Sequence, residues 1–248
     1  MHEQERDGGG RNAGDARRLA HRFRLAGSEL LPGFVRQPAD LAVDLDRGID
    51  VLGLPLSKAQ RTQLLAYVAL LAKWNRTYNL TAVREPARMI THHLLDSLAV
   101  LSHLPSRAGL RLLDVGSGGG LPGIPLAIAR PDWRVEMVDP NHKKAAFLTQ
   151  AAIELHLRNA GAHALRVEDL KSQAPFDVVI SRAFADLSTF ASAASRHLAP
   201  EGVLVAMKGV HPSEEIADLP ADMKVTATPR VVVPGLDATR HLVIMQRQ

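Results

Sequence analysis

Five glycines, Gly116, Gly118, Gly119, Gly120 and Gly123, fall within eight residues, directly after the run Leu112-Leu113-Asp114-Val115. Glycine lacks a Cβ, so this spacing permits a tight turn and a close approach of backbone to ligand. A strand that ends this way and hands over to a helix is suited to a nucleotide-like cofactor. Two cofactor chemistries compete for the turn. Residues 118–123 fit G-x-G-x-x-G, and Asp139 follows at about the 20-residue distance of a ribose-binding carboxylate, as in an NAD-dependent dehydrogenase. S-adenosylmethionine is the other candidate. Its ammonium suits Asp114, where a pyrophosphate would be repelled. Gly116 and Gly118 belong to the spacing Asp114-x-Gly116-x-Gly118-x-Gly120, which brings backbone groups to the methionine part. Asp139 has two oxygens for the two ribose hydroxyls, and Val167-Glu168-Asp169 offers the Val167 side chain to an adenine face. Asp139-Pro140 also suits a helix N-cap.

These groups need a scaffold, and the hydrophobic period changes along the chain in a way that supplies one. Strands are expected at residues 110–115, 133–138, 163–167, 176–181 and 202–207. Helices are expected between them at 124–130, 143–157 and 188–198. Strands alternating with helices imply a parallel sheet covered on both faces. Residues 225–233 and 241–245 are expected to close it as an antiparallel hairpin. That ending, and the lack of chain for a second catalytic domain, favour the S-adenosylmethionine reading. The expected fold is α/β, a Rossmann-like class I methyltransferase sheet over residues 107–248.

Upstream, Ser57-Lys58-Ala59-Gln60 has the form of a capping box. Leu64, Leu65, Val68, Leu71 and Ala72 follow at helical spacing until Trp74–Thr81 breaks the pattern. A second helix is expected over 86–104, with Pro86 in its first turn and Met89, Ile90, His93, Leu94, Leu98 and Leu101 on its buried stripe. Residues 49–106 are therefore expected to form a helical cap. Residues 1–48 are expected to be a basic, disordered extension, with Arg17-Arg18-Leu19-Ala20-His21-Arg22-Phe23-Arg24 either a solvated arm or a contact to RNA.

Composition narrows the class. The chain has 248 residues and no cysteine, which excludes disulfides and thiolate metal sites. No metal-ligand spacing is present. No stretch approaches the roughly 20 apolar residues of a membrane span, and residues 1–14 lack the apolar centre of a secretory signal. A cytoplasmic location is expected. The formal charge of +4 and a sequence pI of about 9.7 point mildly to a polyanionic partner.

Beyond the turn, several motifs occur in order: Trp74-Asn75-Arg76-Thr77-Tyr78-Asn79-Leu80-Thr81, His93-Leu94-Leu95-Asp96-Ser97, Ile180-Ser181-Arg182-Ala183-Phe184-Ala185, Met207-Lys208-Gly209 and Arg240-His241-Leu242-Val243. With the glycine turn, they make the chain from about residue 52 onward resemble the RsmG (GidB) family of small-subunit ribosomal RNA guanine-N7 methyltransferases. The resemblance implies that Gly116, Leu121, Val167, Glu168 and Arg182 contact S-adenosylmethionine. It implies a guanosine of 16S ribosomal RNA, free or in the 30S subunit, as acceptor. Guanine N7 carries a free lone pair at neutral pH, so no general base is required and no catalytic base is singled out. A non-catalytic ribosome-assembly binder of the same fold is the alternative. Arg182, at the end of the fourth strand, is placed to meet cofactor or base. Lys208, Arg84, Arg240 and His241 are candidates for phosphate. Tyr78 and Asn79 could meet an unstacked base, and His93, on the apolar stripe, reads as a buried hydrogen-bonded residue.

Overall fold

The computed structural model describes residues 38–248 except Ala183 and Ala185. The basic run at residues 17–24 and the expected disorder of residues 1–37 lie outside them. The last part of the expected extension is instead a helix, α1 (Pro38–Val51). Its apolar residues recur every fourth position, and Leu45 and Ile49 are fully buried while Leu41 packs beside them. That stripe is enough to dock a helix despite the four aspartates among its residues.

Helix α2 (Lys58–Tyr78) starts at the expected capping box. The Ser57 side chain accepts from Gln60 N–H, and Gln60 Oε1 accepts from Ser57 N–H at 2.9 Å. The helix continues through the expected break at Trp74 and stops at Asn79, which adopts the left-handed conformation at φ 49°. Arg61 ties α2 to α1 through Asp50 at 2.8 Å and Asp46 at 3.1 Å. A third helical run, α3, covers residues 86–103. It comprises an α turn (Pro86–Met89), a π-helical segment (Ile90–Leu95), a short α piece (Asp96–Leu98) and a 3₁₀ end (Ala99–His103).

The sheet comprises β1 (Arg111–Val115), β2 (Arg134–Val138), β3 (Ala160–His163), β4 (Phe176–Ser181), β5 (Leu198–Lys208), β6 (Met223–Ala227), β7 (Arg230–Val231) and β8 (Arg240–Arg247). Their order is β3-β2-β1-β4-β5-β8-β6, with β7 paired to β8. The first five are parallel, and β8 enters antiparallel between β5 and β6. The expected closing hairpin is thus present. Helices α4 (Gly123–Ala129), α5 (His142–Glu154), α6 (Leu187–Ala194) and α7 (Ser213–Ala217) make the connections. One expectation is displaced: the third strand lies at Ala160–His163, and Val167–Asp169 is a 3₁₀ turn four residues beyond it.

Side chains alternate across the strands, so neighbouring residues enter different cores. Leu112, Val178, Ile180 and Val205 face one apolar cluster, which also contains Leu45, Leu64, Tyr67, Leu94 and Leu98. Leu113, Val115, Val179 and Leu204 face the other, packed against Phe190 and Ala191 of α6. Helices α1–α3 therefore share one core with the sheet. Among the described residues no helix is long and apolar enough to cross a membrane.

The capping box also serves tertiary structure, because Gln60 Nε2 donates to Ile128 O and Ala129 O at the end of α4, at 2.9 and 3.0 Å. Replacing Ser57 with Ala is expected to cost about 1 kcal/mol, the usual worth of an N-cap. Gln60→Ala should cost about 2 kcal/mol, since it also leaves two helix-end carbonyls unpaired. Denaturant titration of both variants checks the order, and equal losses would mean that the link to α4 contributes nothing.

Candidate cofactor-binding site

The C-terminal edge of a parallel sheet leaves backbone groups at the ends of its strands unpaired, and ligands of such folds bind there. The glycine turn sits on this edge. Gly116, Gly118 and Gly120 have φ of 69°, 57° and 86°, values that L side chains rarely adopt. The turn is laced to β2 by Gly116 N–H and Ser117 N–H, which both donate to Val138 O at 2.9 and 3.1 Å. Asp139, the next residue, is 4% exposed and divides its carboxylate. Oδ2 accepts from Gly118 N–H and Oδ1 accepts from Asn141 N–H, each at 2.9 Å. The N-cap of α5 is Asn141, whose Oδ1 accepts from Lys143 and Lys144 N–H. Asp139 is therefore not the cap, and each of its oxygens keeps a lone pair for a further donor.

Asp114 supports the turn from beneath. It is fully buried, and its Oδ2 accepts from Gly123 N–H at 2.8 Å, while Oδ1 has no hydrogen-bond partner. A Cβ on Gly123 would lie 2.8 Å from both Asp114 Oδ2 and Met137 Cγ, so only glycine fits there. Burial pushes the Asp114 carboxyl up to about 7, against the Gly123 N–H, which favours its ionised form. From above, Tyr67 of α2 donates its buried O–H to Gly119 O at 2.6 Å. Leu71 and Leu80 also border Gly119. By contrast, a Cβ on Gly116 would meet nothing within 4 Å. The turn is packed on its outer side and open at Gly116, which is the shape of a cradle. An open glycine, a buried carboxylate with spare lone pairs and an orphaned carboxylate oxygen fit a cofactor bearing a diol and a cationic group.

The remaining predicted residues divide. Val167 is 4% exposed and packs in one cluster with Val115 and Val138, the last residues of β1 and β2. Glu168 beside it is exposed, and its carbonyl accepts from Arg196. Leu121 is 3% exposed within the cluster shared with the helices, which leaves its backbone rather than its side chain for contact. Val167 and Glu168 share the turn's edge of the sheet, with Val167 packed beside the ends of β1 and β2.

Arg182, the residue after β4, reaches toward α3. Its Nη1 donates to His92 O at 3.2 Å and lies 3.5 Å from Asp96 Oδ2. Arg240 Nε donates to Asp96 Oδ1 at 2.8 Å. His93 donates from Nδ1 to His92 O at 2.9 Å, so its Nε2 accepts from Thr81 O–H at 2.8 Å. Burial, helped by the Arg182 charge, lowers His93 to about 4 and keeps it neutral. The expected buried histidine is thus in place. Lys208 is paired with Glu215 at 2.7 Å and Arg84 with Asn79 Oδ1 at 3.2 Å. Tyr78 is 42% exposed and its ring lies 5.2 Å from that of Trp74.

Tyr67 and Asp96 were absent from the sequence-based site. Tyr67 sits among leucines on an ordinary helical stripe and carries no signal. Asp96 does carry one, as a carboxylate between Leu94, Leu95 and Leu98 on an otherwise apolar face.

The family model described as rRNA small subunit methyltransferase G (GidB) matches residues 60–243. The chain is 52% identical over 214 residues to the ribosomal RNA small subunit methyltransferase G of Nitrosospira multiformis, covering 83% of this chain and 97% of that one. It is 54% identical over 213 residues to the protein of that name from Ralstonia nicotianae, covering 84% and 96%. The crystal structure of MtNAS in complex with MTA and tNA superposes with a TM-score of 0.51 at 15% identity, covering 95% of this chain and 97% of that one. That likeness is one of fold.

The Asp114 carboxyl gives a pH signature. Between its ordinary 3.8 and about 7, the folded chain holds a proton that the unfolded chain has lost. Its contribution to stability therefore falls as pH rises through that window and levels off above about 7. His93 runs oppositely, losing stability as pH falls from 6.5 toward about 4. Asp114→Asn removes the first dependence alone. The melting temperature of the variant, relative to wild type without cofactor, is expected to rise from pH 5 to pH 8. A difference that does not change with pH would show that Asp114 titrates normally.

Proposed function

The chain belongs to the rRNA small subunit methyltransferase G family, and from that premise we propose that it methylates N7 of a guanosine in 16S ribosomal RNA, using S-adenosylmethionine. Its substrate is the RNA, free or within the 30S particle, and its place is the cytoplasm. The observation that carries this reading is the glycine turn clasped by Asp139 and open at Gly116, inside a family match over most of the chain. The dehydrogenase and the non-catalytic binder gain no comparable support.

S-adenosylmethionine, when bound, supplies a methyl group already activated on a sulfonium. The chain's residues hold and orient. The Gly116–Gly118 backbone would border the methionine part, Asp139 would accept from the ribose hydroxyls with its remaining lone pairs, and Val167 would lie along the adenine. Leu121 and Glu168 would meet the cofactor through backbone, and Arg182 would face cofactor or base from the end of β4. N7 of guanine has its lone pair free at neutral pH, so no residue must remove a proton. This agrees with a site where His93 is neutral and committed to Thr81 and His92. Rate then comes from holding N7 in line with the methyl carbon. Tyr78, exposed beside Trp74, supplies an aromatic face for an unstacked base at the rim.

The test is methyl transfer to small-subunit ribosomal RNA, with the product base identified after digestion. N7-methylguanine at one nucleotide is the expected product. A methyl on another atom, or none in the presence of bound cofactor, would refute the proposal. Asp139→Ala should weaken S-adenosylmethionine binding by at least about tenfold, the loss of roughly 1.4 kcal/mol, while RNA affinity stays within about twofold. Equal losses in both would make Asp139 a support of the fold alone.

A further inference from the structure

One carboxylate and two guanidiniums meet where α3 crosses the C-terminal edge of the sheet. Asp96 is 4% exposed at its side chain, and Arg182 and Arg240 are each 26% exposed. The three residues come from separate elements: α3, the end of β4 and the start of β8. Arg240 is held tightly at 2.8 Å, with a second bond from its Nη1 to Thr239 O at 3.0 Å. Arg182 is held at 3.5 Å, outside hydrogen-bond range of the carboxylate. A single negative charge cannot neutralise two cations, so the guanidinium with the looser grip retains capacity for another partner.

The backbone supplies the rest of Arg182's seat. In an α-helix the Asp96 N–H would bond to His92 O, four residues back. Here it bonds to Thr91 O and His93 O instead. The π-helical segment thereby diverts that donor from the His92 carbonyl, and Arg182 Nη1 and His93 Nδ1 donate to it. π-bulges concentrate at functional sites because they redirect backbone groups in this way. His93 closes the seat from the side, with Nδ1 3.4 Å from Arg182 Nη1. Its ring is locked by Thr81 and stays neutral, so it adds no competing charge.

We propose that Asp96, together with the π-helical turn before it, is a positioning residue that aims the Arg182 guanidinium at the ligand-binding edge of the sheet. Asp96 does not touch the ligand; it acts through Arg182. Arg240 anchors the carboxylate so that its second oxygen faces Arg182. The inference rests on the reading that Arg182 meets cofactor or base.

The experiment is a double-mutant cycle with wild type, Asp96→Asn, Arg182→Ala and the pair. It is read as kcat and KM for methyl transfer to small-subunit ribosomal RNA, as calorimetric affinity for S-adenosylmethionine, and as melting temperature. Asp96→Asn alone is expected to lower kcat/KM on the order of tenfold, the usual scale for a residue that orients a contact group. With Ala at position 182 there is nothing to aim, so the same substitution should then change kcat/KM by less than about twofold. Where activity of the Ala variant is too low to measure, cofactor affinity completes the cycle. Additive losses would overturn the proposal, as would coupling confined to melting temperature, because either describes a merely structural Asp96. If Arg182→Ala alone leaves both activity and cofactor affinity intact, the reading of Arg182 itself is wrong and the proposal falls with it. Should Asp96→Asn fail to fold, Asp96→Glu keeps the charge but moves the carboxylate by one methylene, and the same non-additivity is expected.

Discussion

Asp139 gives one carboxylate oxygen to Gly118 N–H and the other to Asn141 N–H, and the site depends on that division. A turn with three residues at positive φ has little internal restraint, because glycine has the most conformational freedom to lose. The carboxylate fixes its middle, Val138 O fixes its start, and Asp114 fixes its end through Gly123. The same oxygen that holds Asn141 also sets the entry of α5. Strand, turn and helix are joined at one side chain, and whatever binds Asp139 acts on all three.

The helices before the sheet are part of this site rather than an accessory to it. Tyr67 satisfies the Gly119 carbonyl, Leu71 and Leu80 cover the turn, and α3 receives Arg182. Tyr67, Leu71 and Leu80 themselves belong to the core shared with β1, β4 and β5. The polar contacts are few and mostly buried, where an unmade hydrogen bond is costly. The helices could therefore not shift without disturbing the turn.

Much of this was legible in residue patterns. β4 ends where an apolar run meets Ser181 and Arg182, and the capping box at Ser57 announces α2 because its chemistry is local. What stayed hidden depends on tertiary contact. β3 is Ala-Gly-Ala-His, too small and unbranched to signal a strand, and its Gly161 lies directly opposite Glu136 across the pair. Residues 163–167, just beyond it, carry the more strand-like pattern. Asn79 ends α2 through a backbone conformation that no period reveals. In the site, the glycines and Asp139 could be read because their spacing is itself the chemistry. Asp96 could not be joined to Arg182 and Arg240, because those residues lie 86 and 144 positions away.

The π-helical segment makes α3 one residue longer than its path requires. Each residue of an α-helix turns the chain by about 100°. A deletion of a single residue within Ile90–Leu95 would leave composition and charge almost unchanged. It would nonetheless let the run return to a regular α-helix, with the Asp96 N–H bonded four residues back, and take from Arg182 the carbonyl that the π segment leaves open to it. Chain length in this stretch is therefore under a constraint as strict as residue identity.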